Sequence, residues 1–584
     1  MLEDILLQVI KPGRYIGREW NISKKDFAAA EVKFALSFPD LYEVGMSNLG
    51  IRIIYGILNN IPEVACERFF SPAPDMEGAL RSNNLEITSL ESGRRLKEFD
   101  IIGFSLGYEL TYTNVLALLD LGAIPLEAAL RGNEFPLVIG GGPCVFNPEP
   151  MHEFFDLFII GEGEEVIPEL IAGYKKLKNN FRQNKMSKQE LLVALSAIEG
   201  VYAPSLYEAV YDAEGKLEEF KPIVEGVSPV VRKRFVKDLD KAYFPSPWIV
   251  PYIQTIHDRL IIEIMRGCPN RCRFCQARAQ YFPFRQRELN NVLGLASRAY
   301  QETGYEEISL CGLSVSDYPQ IEKLMESLIG HFREKAVSVS LPSIKAKALV
   351  GNLSKLIATI KKTGLTFAPE AASERLRGII GKDFNEEDFF NSLGNAYLSG
   401  YQHVKLYFMI GLPYEEEKDL DAIVDFSIRV SELSRKLTRR PAQVNISVNT
   451  LIPKPHTPLQ WFAMQGLEEI KYKQDYLRSK TKNKRLKLDF HNRFMSVLEG
   501  VLSRGDRRLS RVILQAFKDG ARFDAWNNYF VFDKWANAFD QSHIDYNSYL
   551  SQRPQEEVLP WSFLDTGIAG DYLSSEFKKI VAMK

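Results

Sequence analysis

Three cysteines fall within eight residues, Cys268-Pro-Asn-Arg-Cys272-Arg-Phe-Cys275. Their C-x3-C-x2-C spacing brings three thiolates to one small volume, enough to ligate three irons of a four-iron, four-sulfur cube and leave the fourth iron open. An open iron is a place for chemistry. A structural zinc takes four protein ligands, and the nearest candidates for a fourth are His257 and the more distant Cys311. A zinc knuckle or a disulfide loop is the competing reading of the same trio. The apolar run Arg259-Leu-Ile-Ile-Glu-Ile-Met265 leads straight into the motif, so a strand is expected to present it.

The rest of the chain must supply the elements that position this trio. At 584 residues it exceeds the size at which one core stops growing, so three or four domains are expected. Hydrophobic residues make up 45% and charged residues 25%, ordinary for a globular protein, and the net charge of −2 gives no global attraction to nucleic acid or membrane. Outside the motif only Cys66, Cys144 and Cys311 remain, scattered, which reads as a reduced compartment. The N-terminus has no basic region and no apolar stretch of the length a signal peptide or membrane span needs, so a cytoplasmic protein is expected.

Residues 1–170 read as one unit. Val32–Phe38 is an apolar run that breaks at Pro39-Asp40 and is followed by a helical pattern from Leu49 to Leu58. The pattern returns at Asp100–Leu106, at Pro136–Ile139 ending on Gly140-Gly141-Gly142-Pro143, and at Asp156–Ile160 ending on Gly161-Glu162-Gly163-Glu164. Strands alternating with helices predict a parallel, doubly wound sheet, and such sheets bind ligands at the carboxyl ends of their strands, where these glycines fall. Any one glycine-rich loop could also be only a tight turn. Residues 171–250 read as a polar connector with a hairpin around Glu214-Gly215. From residue 251 to 500 six apolar runs recur with helical patterns between them: Leu260–Met265, Glu307–Leu310, Val337–Leu341, Leu365–Ala368, His403–Met409 and Val444–Val448. They count six strand-helix units and so resemble the partial six-stranded barrel of radical S-adenosylmethionine enzymes, which implies chemistry at the carboxyl strand ends. Residues 501–584, with Trp526, Trp535 and Trp561, read as a small helical domain that packs on the barrel or covers the site.

The cysteine motif resembles the radical S-adenosylmethionine (AdoMet) signature. The series of glycine loops ahead of it is similar to the cobalamin-binding domain carried by one class of those enzymes. The likeness to cobalamin-binding-domain radical AdoMet proteins runs nearly end to end, through Phe38–Gly50, Leu90–Gly93, Gly140–Pro150 and Arg504–Leu509. It implies that Cys268, Cys272 and Cys275 hold a [4Fe-4S] cluster. It places AdoMet against Phe274, Gly312, Ser314, Ser340, Glu370 and Pro453. Cys311-Gly-Leu-Ser314 stands where relatives carry a Gly-Gly-Glu-like loop, and its glutamate is missing here. For cobalamin the resemblance implies Asp40, Tyr42, Gly45, Ser47, Asn48, Ser105, Gly140, Gly141, Gly142, Gly161, Glu162 and Gly163. Asp40-Leu-Tyr42-Glu-Val-Gly45 corresponds to an Asp-x-His-x-x-Gly loop with tyrosine in the histidine slot, so no histidine is expected beneath cobalt.

The implied activity is reductive cleavage of AdoMet to a 5′-deoxyadenosyl radical, with cobalamin-dependent methyl transfer to an unactivated carbon and an electron donor of the flavodoxin or ferredoxin type. Alternatives are a cobalamin-associated rearrangement or cyclisation, an RNA-modifying radical enzyme without methyl transfer, and a non-catalytic iron-sulfur and cobalamin sensor. A methylthiotransferase normally needs a second cysteine trio, which Cys66 and Cys144 cannot supply. Lys471–Lys487, rich in lysine with two tyrosines, could meet RNA, but a lysine-rich outer helix is the favoured reading. His456 and His491 are read as structural rather than acid-base residues. No residue identifies the substrate.

Overall fold

The computed structural model describes residues 2–340, 365–382 and 384–584. Near the N-terminus, β1 (Val32–Phe38), β2 (Val64–Phe70), β3 (Ile101–Ser105), β4 (Leu137–Gly141), β5 (Leu157–Ile159) and β6 (Val201–Tyr202) form one sheet. Its order is β2-β1-β3-β4-β5-β6. The first five strands are parallel and β6 joins antiparallel, with Phe158 opposite Tyr202. Val32, Phe34, Ile101, Ile102, Val138 and Phe158 are buried, as expected of strands covered on both faces. The chain order reverses between β1 and β3, so the carboxyl ends of those strands diverge and leave a crevice. Helix Leu49–Asn60 begins there, with Asn48 Oδ1 accepting from the Ile51 amide at 3.2 Å.

The hairpin predicted in the connector is present: Tyr207–Tyr211 pairs antiparallel with Leu217–Pro222 around Gly215, at φ +79°. The barrel follows in two described parallel sheets. One holds β7 (Leu260–Glu263), β8 (Glu307–Cys311) and β9 (Ser338–Ser340); the other holds β10 (Leu365–Glu370), β11 (His403–Ile410), β12 (Gln443–Thr450) and β13 (Leu486–Phe490). The six expected strands are found, and β13 is a seventh. It hid inside the lysine-rich segment, which is a helix, Leu467–Lys480, followed by this strand. In β13, Leu-Lys-Leu-Asp-Phe, Leu486 is buried while Lys487 and Asp489 are exposed, so the strand alternates, but it is short and its first charge runs on from the lysine-rich helix and loop before it.

Helices fill most of residues 493–581. Their main support is the N-terminal sheet rather than the barrel: Leu509–Lys518 packs on the helix Tyr112–Leu121, and Asp524 accepts from the Thr113 hydroxyl at 2.7 Å. The last helix, Gly570–Val581, instead reaches the cysteine loop, where Glu576 accepts from Arg273 Nε at 2.8 Å. The tail therefore touches both large units.

Candidate active site

The cysteine trio leaves the barrel immediately after β7, on a short connection through Met265, Arg266 and Gly267. All three cysteines are free and half-buried. Among the described residues no three His, Cys, Asp or Glu side chains converge on a single metal-ion position. Three free thiols carried on one loop are the donor set a [4Fe-4S] cube would take, one at each of three irons. Its loop is tied down on two sides. Asn270 Nδ2 lies 3.2 Å from Cys268 Sγ and 2.8 Å from Asp317 Oδ2, and the Ser314 hydroxyl donates to the same Asp317 oxygen at 2.6 Å. On the other side the Arg273 amide donates to the Ile380 carbonyl at 2.8 Å, and its guanidinium to the Gly378 and Ile379 carbonyls. Burial pushes the Cys272 thiol up to about 11, opposed by the nearby Lys382 ammonium. A metal ligand must be thiolate, so loading this site releases protons.

The carboxyl ends of the N-terminal strands face the same end of the barrel across a cavity of about 530 Å³. Ser105, Gly141 and Gly163 line it from the sheet side; Glu263, Cys311 and Gly312 line it from the barrel. It runs inward between the sheet, at Leu36 and Ile139, and the helices that carry Ile51 and Ile167. The glycines around it are there for different reasons. Gly142 (φ +107°) and Gly161 (φ +110°) adopt left-handed backbone, and a Cβ would stand 2.8 Å from the Leu106 carbonyl oxygen and 2.1 Å from that of Arg234. These two satisfy the chain's own turns. At Gly107 a Cβ would meet nothing within 4 Å, and at Gly141 only Ile159 at 3.9 Å. Protein packing does not demand glycine at either position, yet both border the cavity.

A model of the radical SAM superfamily matches residues 262–427, and one of the N-terminal region of radical SAM proteins matches residues 50–204. The chain belongs to the radical SAM superfamily. This radical SAM protein is 29% identical over 515 residues to an uncharacterised protein of Methanocaldococcus jannaschii, covering 87% of this chain and 97% of that one. It is 23% identical over 198 residues to a ribosomal protein uS12 methylthiotransferase of Pelotomaculum thermopropionicum, over 32% of this chain and 43% of that one. Among solved structures it is similar to the cobalamin-dependent AdoMet radical enzyme OxsB with aqua-cobalamin bound (TM-score 0.47, 12% identity, 94% of this chain and 80% of that one). It is also similar to the radical AdoMet methyltransferase TsrM from Kitasatospora setae with cobalamin and a [4Fe-4S] cluster bound (TM-score 0.45, 13% identity, 71% and 74%).

The residues singled out in the sequence separate into groups. Asn48, Ser105, Gly140, Gly141, Gly142, Gly161, Glu162 and Gly163 of this radical SAM protein all border the cavity. Asp40, Tyr42, Gly45 and Ser47 do not. The Asp40 carboxylate accepts from Trp526 Nε1 at 2.9 Å, and Tyr42 is buried with its hydroxyl donating to Glu19 at 2.9 Å. A Cβ on Gly45 would strike the Phe70 ring, and the Ser47 hydroxyl is held between the Glu43 carbonyl and the His257 amide. Among the described residues no histidine lines the cavity. At the barrel mouth Phe274 packs against the cluster that includes Leu376, Ile380 and Leu412. Gly312 lets the chain pass Met265, whose Cγ would lie 2.4 Å from a Cβ. Ser340 ends β9, with its hydroxyl 3.5 Å from the Ile308 carbonyl; Leu341, Pro342 and Ser343 lie outside the described residues. Glu370 ends β10 at φ +66°, a left-handed conformation rare for glutamate and the kind of strain that gathers at functional sites. Burial raises its carboxyl, opposed by Lys382 Nζ at 3.6 Å. The Pro453 carbonyl accepts from Arg504 at 3.1 Å.

Three groups had no single-residue signal in the sequence because they form only across chain-distant elements. Asp317 is one, gathered against the cysteine loop as described. The second is an ion network between the units: Arg266 meets Glu162, Glu164 and Glu263 at 2.7–3.0 Å, and Arg285 pairs with Glu162 at 2.6 Å. Glu162 therefore docks the sheet on the barrel, and burial raises the Glu164 carboxyl against the pull of Arg266. The third is Lys454, after β12, held by Glu109 at 2.7 Å and Glu499 at 2.8 Å, with the Tyr108 hydroxyl donating to Glu499 at 2.9 Å. His456 is buried, its Nε2 on the Phe146 carbonyl at 2.9 Å, and burial lowers it to about 4. It is a structural, neutral histidine. His491 sits against the Ser496 hydroxyl at 2.8 Å.

Proposed function

We propose that the chain is a cobalamin-dependent radical AdoMet enzyme that transfers a methyl group to an unactivated carbon. The observation that carries the reading is a cavity bordered both by the carboxyl ends of the N-terminal sheet and by the mouth of the barrel, beside the cysteine loop. Cys268, Cys272 and Cys275 would hold the [4Fe-4S] cluster. When bound, the cluster supplies the electron that splits AdoMet into methionine and a 5′-deoxyadenosyl radical, and cobalamin supplies the methyl group.

The chain's own residues bind, orient and shield. Phe274, packed in an apolar cluster, offers a face for the adenine. The Glu370 carboxylate is aimed by its strained backbone and can accept from ribose hydroxyls. With the loop glutamate missing, Asp317 offers a carboxylate held against the cysteine loop for the AdoMet ammonium, already oriented by Ser314 and Asn270. Asn48, Ser105, Gly107 and Gly141 form the floor for cobalamin, and Phe146 and Tyr281 help keep water from the space between the cofactors. The electron would come from a flavodoxin- or ferredoxin-type protein.

The test is turnover by the anaerobically reconstituted protein with AdoMet carrying a trideuterated methyl group. S-adenosylhomocysteine and 5′-deoxyadenosine should accumulate together, with three deuterons in the product. Deoxyadenosine without homocysteine product would rule out methylation and leave a radical rearrangement or cyclisation; neither product would leave a sensor. Spin resonance of bound cob(II)alamin should show no splitting from an axial histidine nitrogen, since among the described residues no histidine lines the cavity.

A further inference from the structure

The inside of a β/α barrel is ordinarily filled by branched apolar side chains. The second barrel sheet, β10 to β13, departs from that. Burial alternates along its strands, and the buried side chains pack outward on the helices Glu386–Leu398 and Glu417–Thr438, with Phe367 on Phe389 at 5.0 Å and Phe408 on Phe426 at 5.9 Å. The residues between them therefore turn to the lumen, and they are polar.

Strand pairing lines these lumen residues up in rows. In one row Thr366 of β10 stands beside Lys405 of β11, Lys405 beside Asn445 of β12, and Asn445 beside Lys487 of β13. The next row toward the carboxyl ends holds Tyr407, Ser447 and Asp489. Thr366, Asn445 and Lys487 are exposed and Lys405 is half-buried, so the space in front of the row is open. Among the described residues no side-chain hydrogen bond or ion pair reaches any of the four, and Lys405 meets only the Tyr407 ring, at 4.6 Å.

Strands once removed lie about 10 Å apart, so an amide separates two ammonium groups whose four-carbon stems let both reach one anion held over it. Left alone, the two like charges repel. The carboxylates of this face stand nearer the strand ends: Asp489 is a row further on, and Glu370 closes β10 beside Lys382. A hydroxyl, an amide and two ammonium groups with no acid in their row make a receptor for one anionic group.

We propose that this row holds the anionic end of the substrate, a carboxylate or a phosphate, on Lys405 and Lys487 with Asn445 between them. The inference rests on the radical AdoMet reading for where the reaction occurs, at the carboxyl strand ends. Lys405 stands five residues before Ile410, the end of β11, which is about 16 Å of strand. The substrate is therefore elongated, with its reacting carbon about that far from its anion, and polar enough in between to lie along Tyr407, Ser447 and Asn449.

Fluorine NMR of 4-fluorophenyl phosphate and of 4-fluorobenzoate with the full chain tests the row and needs neither cluster, AdoMet nor cobalamin. Saturable broadening is expected for at least one probe, and which one names the anion as phosphate or carboxylate. Binding should weaken roughly tenfold or more in Lys405→Gln and in Lys487→Gln, each of which removes one donor to a charged acceptor. It should be unchanged in Lys471→Gln, an exposed lysine of the outer helix. The amine 4-fluorobenzylamine should not bind. Absence of saturable broadening with both anions, equal binding of the amine, binding that survives both row changes or an equal loss in Lys471→Gln would each overturn the assignment. Circular dichroism establishes that each variant folds, and Lys487→Gln, at the more exposed position, decides the case if Lys405→Gln does not. Anion binding without AdoMet cleavage by the reconstituted protein would leave the row standing and sink the radical reading; cleavage without anion binding would do the reverse.

Discussion

Each cysteine of the trio is expected to be individually indispensable, because a cube missing one of three protein ligands loses its anchor while the loop remains tied by Asn270 and Arg273. Cys268→Ala, Cys272→Ala and Cys275→Ala should each lose the cluster and AdoMet cleavage, whereas Cys311→Ala, which lies in the cavity wall and outside the trio, should keep about four irons per chain. Iron and sulfide analysis with the visible spectrum checks both arms. His456 makes a pH prediction. Its pKa is lowered from 6.5 to about 4 by burial, so the folded state holds it neutral and the unfolded state binds the proton first. Its contribution is fully present above about pH 6.5 and is lost as pH falls toward 4, worth roughly 3 kcal/mol across that window. Denaturant melts of wild type and His456→Gln should differ in the steepness of their stability loss between those limits.

The strand-end loops separate turn-making glycines from ligand-making ones. Gly142→Ala puts a Cβ into left-handed backbone against the Leu106 carbonyl and should cost about 1–3 kcal/mol in thermal or chemical melts. Gly141→Val should leave the melt nearly unchanged and abolish cobalamin binding followed by absorbance, because the side chain enters open cavity. The opposite pattern, with Gly141→Val unstable and still binding cobalamin, would contradict the proposed floor. The lysine-rich helix Leu467–Lys480 turns its charges to neighbours rather than to a partner: Lys473 meets Glu415 and Lys480 meets Asp421. That supports the outer-helix reading over an RNA face.

Across the whole molecule, the units are docked by buried charge as well as by apolar surface. Lys454, on the barrel, is held between Glu109 of the N-terminal unit and Glu499 of the helical tail, and Lys454→Met would leave two carboxylates facing each other in a buried place. A loss of about 3–5 kcal/mol is expected, read by denaturant melts, with part of it restored in Lys454→Met/Glu109→Gln. Arg266→Met should act likewise on the sheet–barrel contact, since Glu162, Glu164 and Glu263 all turn to that one guanidinium. Limited proteolysis of the connector should quicken in both variants as the units part. Among the described residues no helix is long and apolar enough to cross a membrane.

What the sequence by itself determined is local. The cysteine spacing, the alternation of strand and helix, and the glycines at strand ends are all properties of a few consecutive residues, and each is legible because backbone period and turn chemistry are written at that range. The spacing of Cys268, Cys272 and Cys275, the strands β1, β3, β4 and β5, and the glycines at their ends were readable for that reason, whereas β2, Val-Ala-Cys-Glu-Arg-Phe-Phe, was missed because Glu67 and Arg68 interrupt its apolar run. What only the tertiary structure decided involves residues from 23 to 123 positions apart. Asp317 meets the cysteine loop, Glu162 turns to Arg285, and Tyr42 buries its hydroxyl on Glu19, so that the tyrosine in the histidine slot faces a second cavity and not the first. The β13 strand was hidden because its Lys487 continues the charge run of the helix and loop before it, and the helical tail chose the N-terminal sheet because the apolar faces it could cover lie there. Side-chain direction and long-range ion pairing depend on which elements become neighbours, and no short window of sequence holds that information.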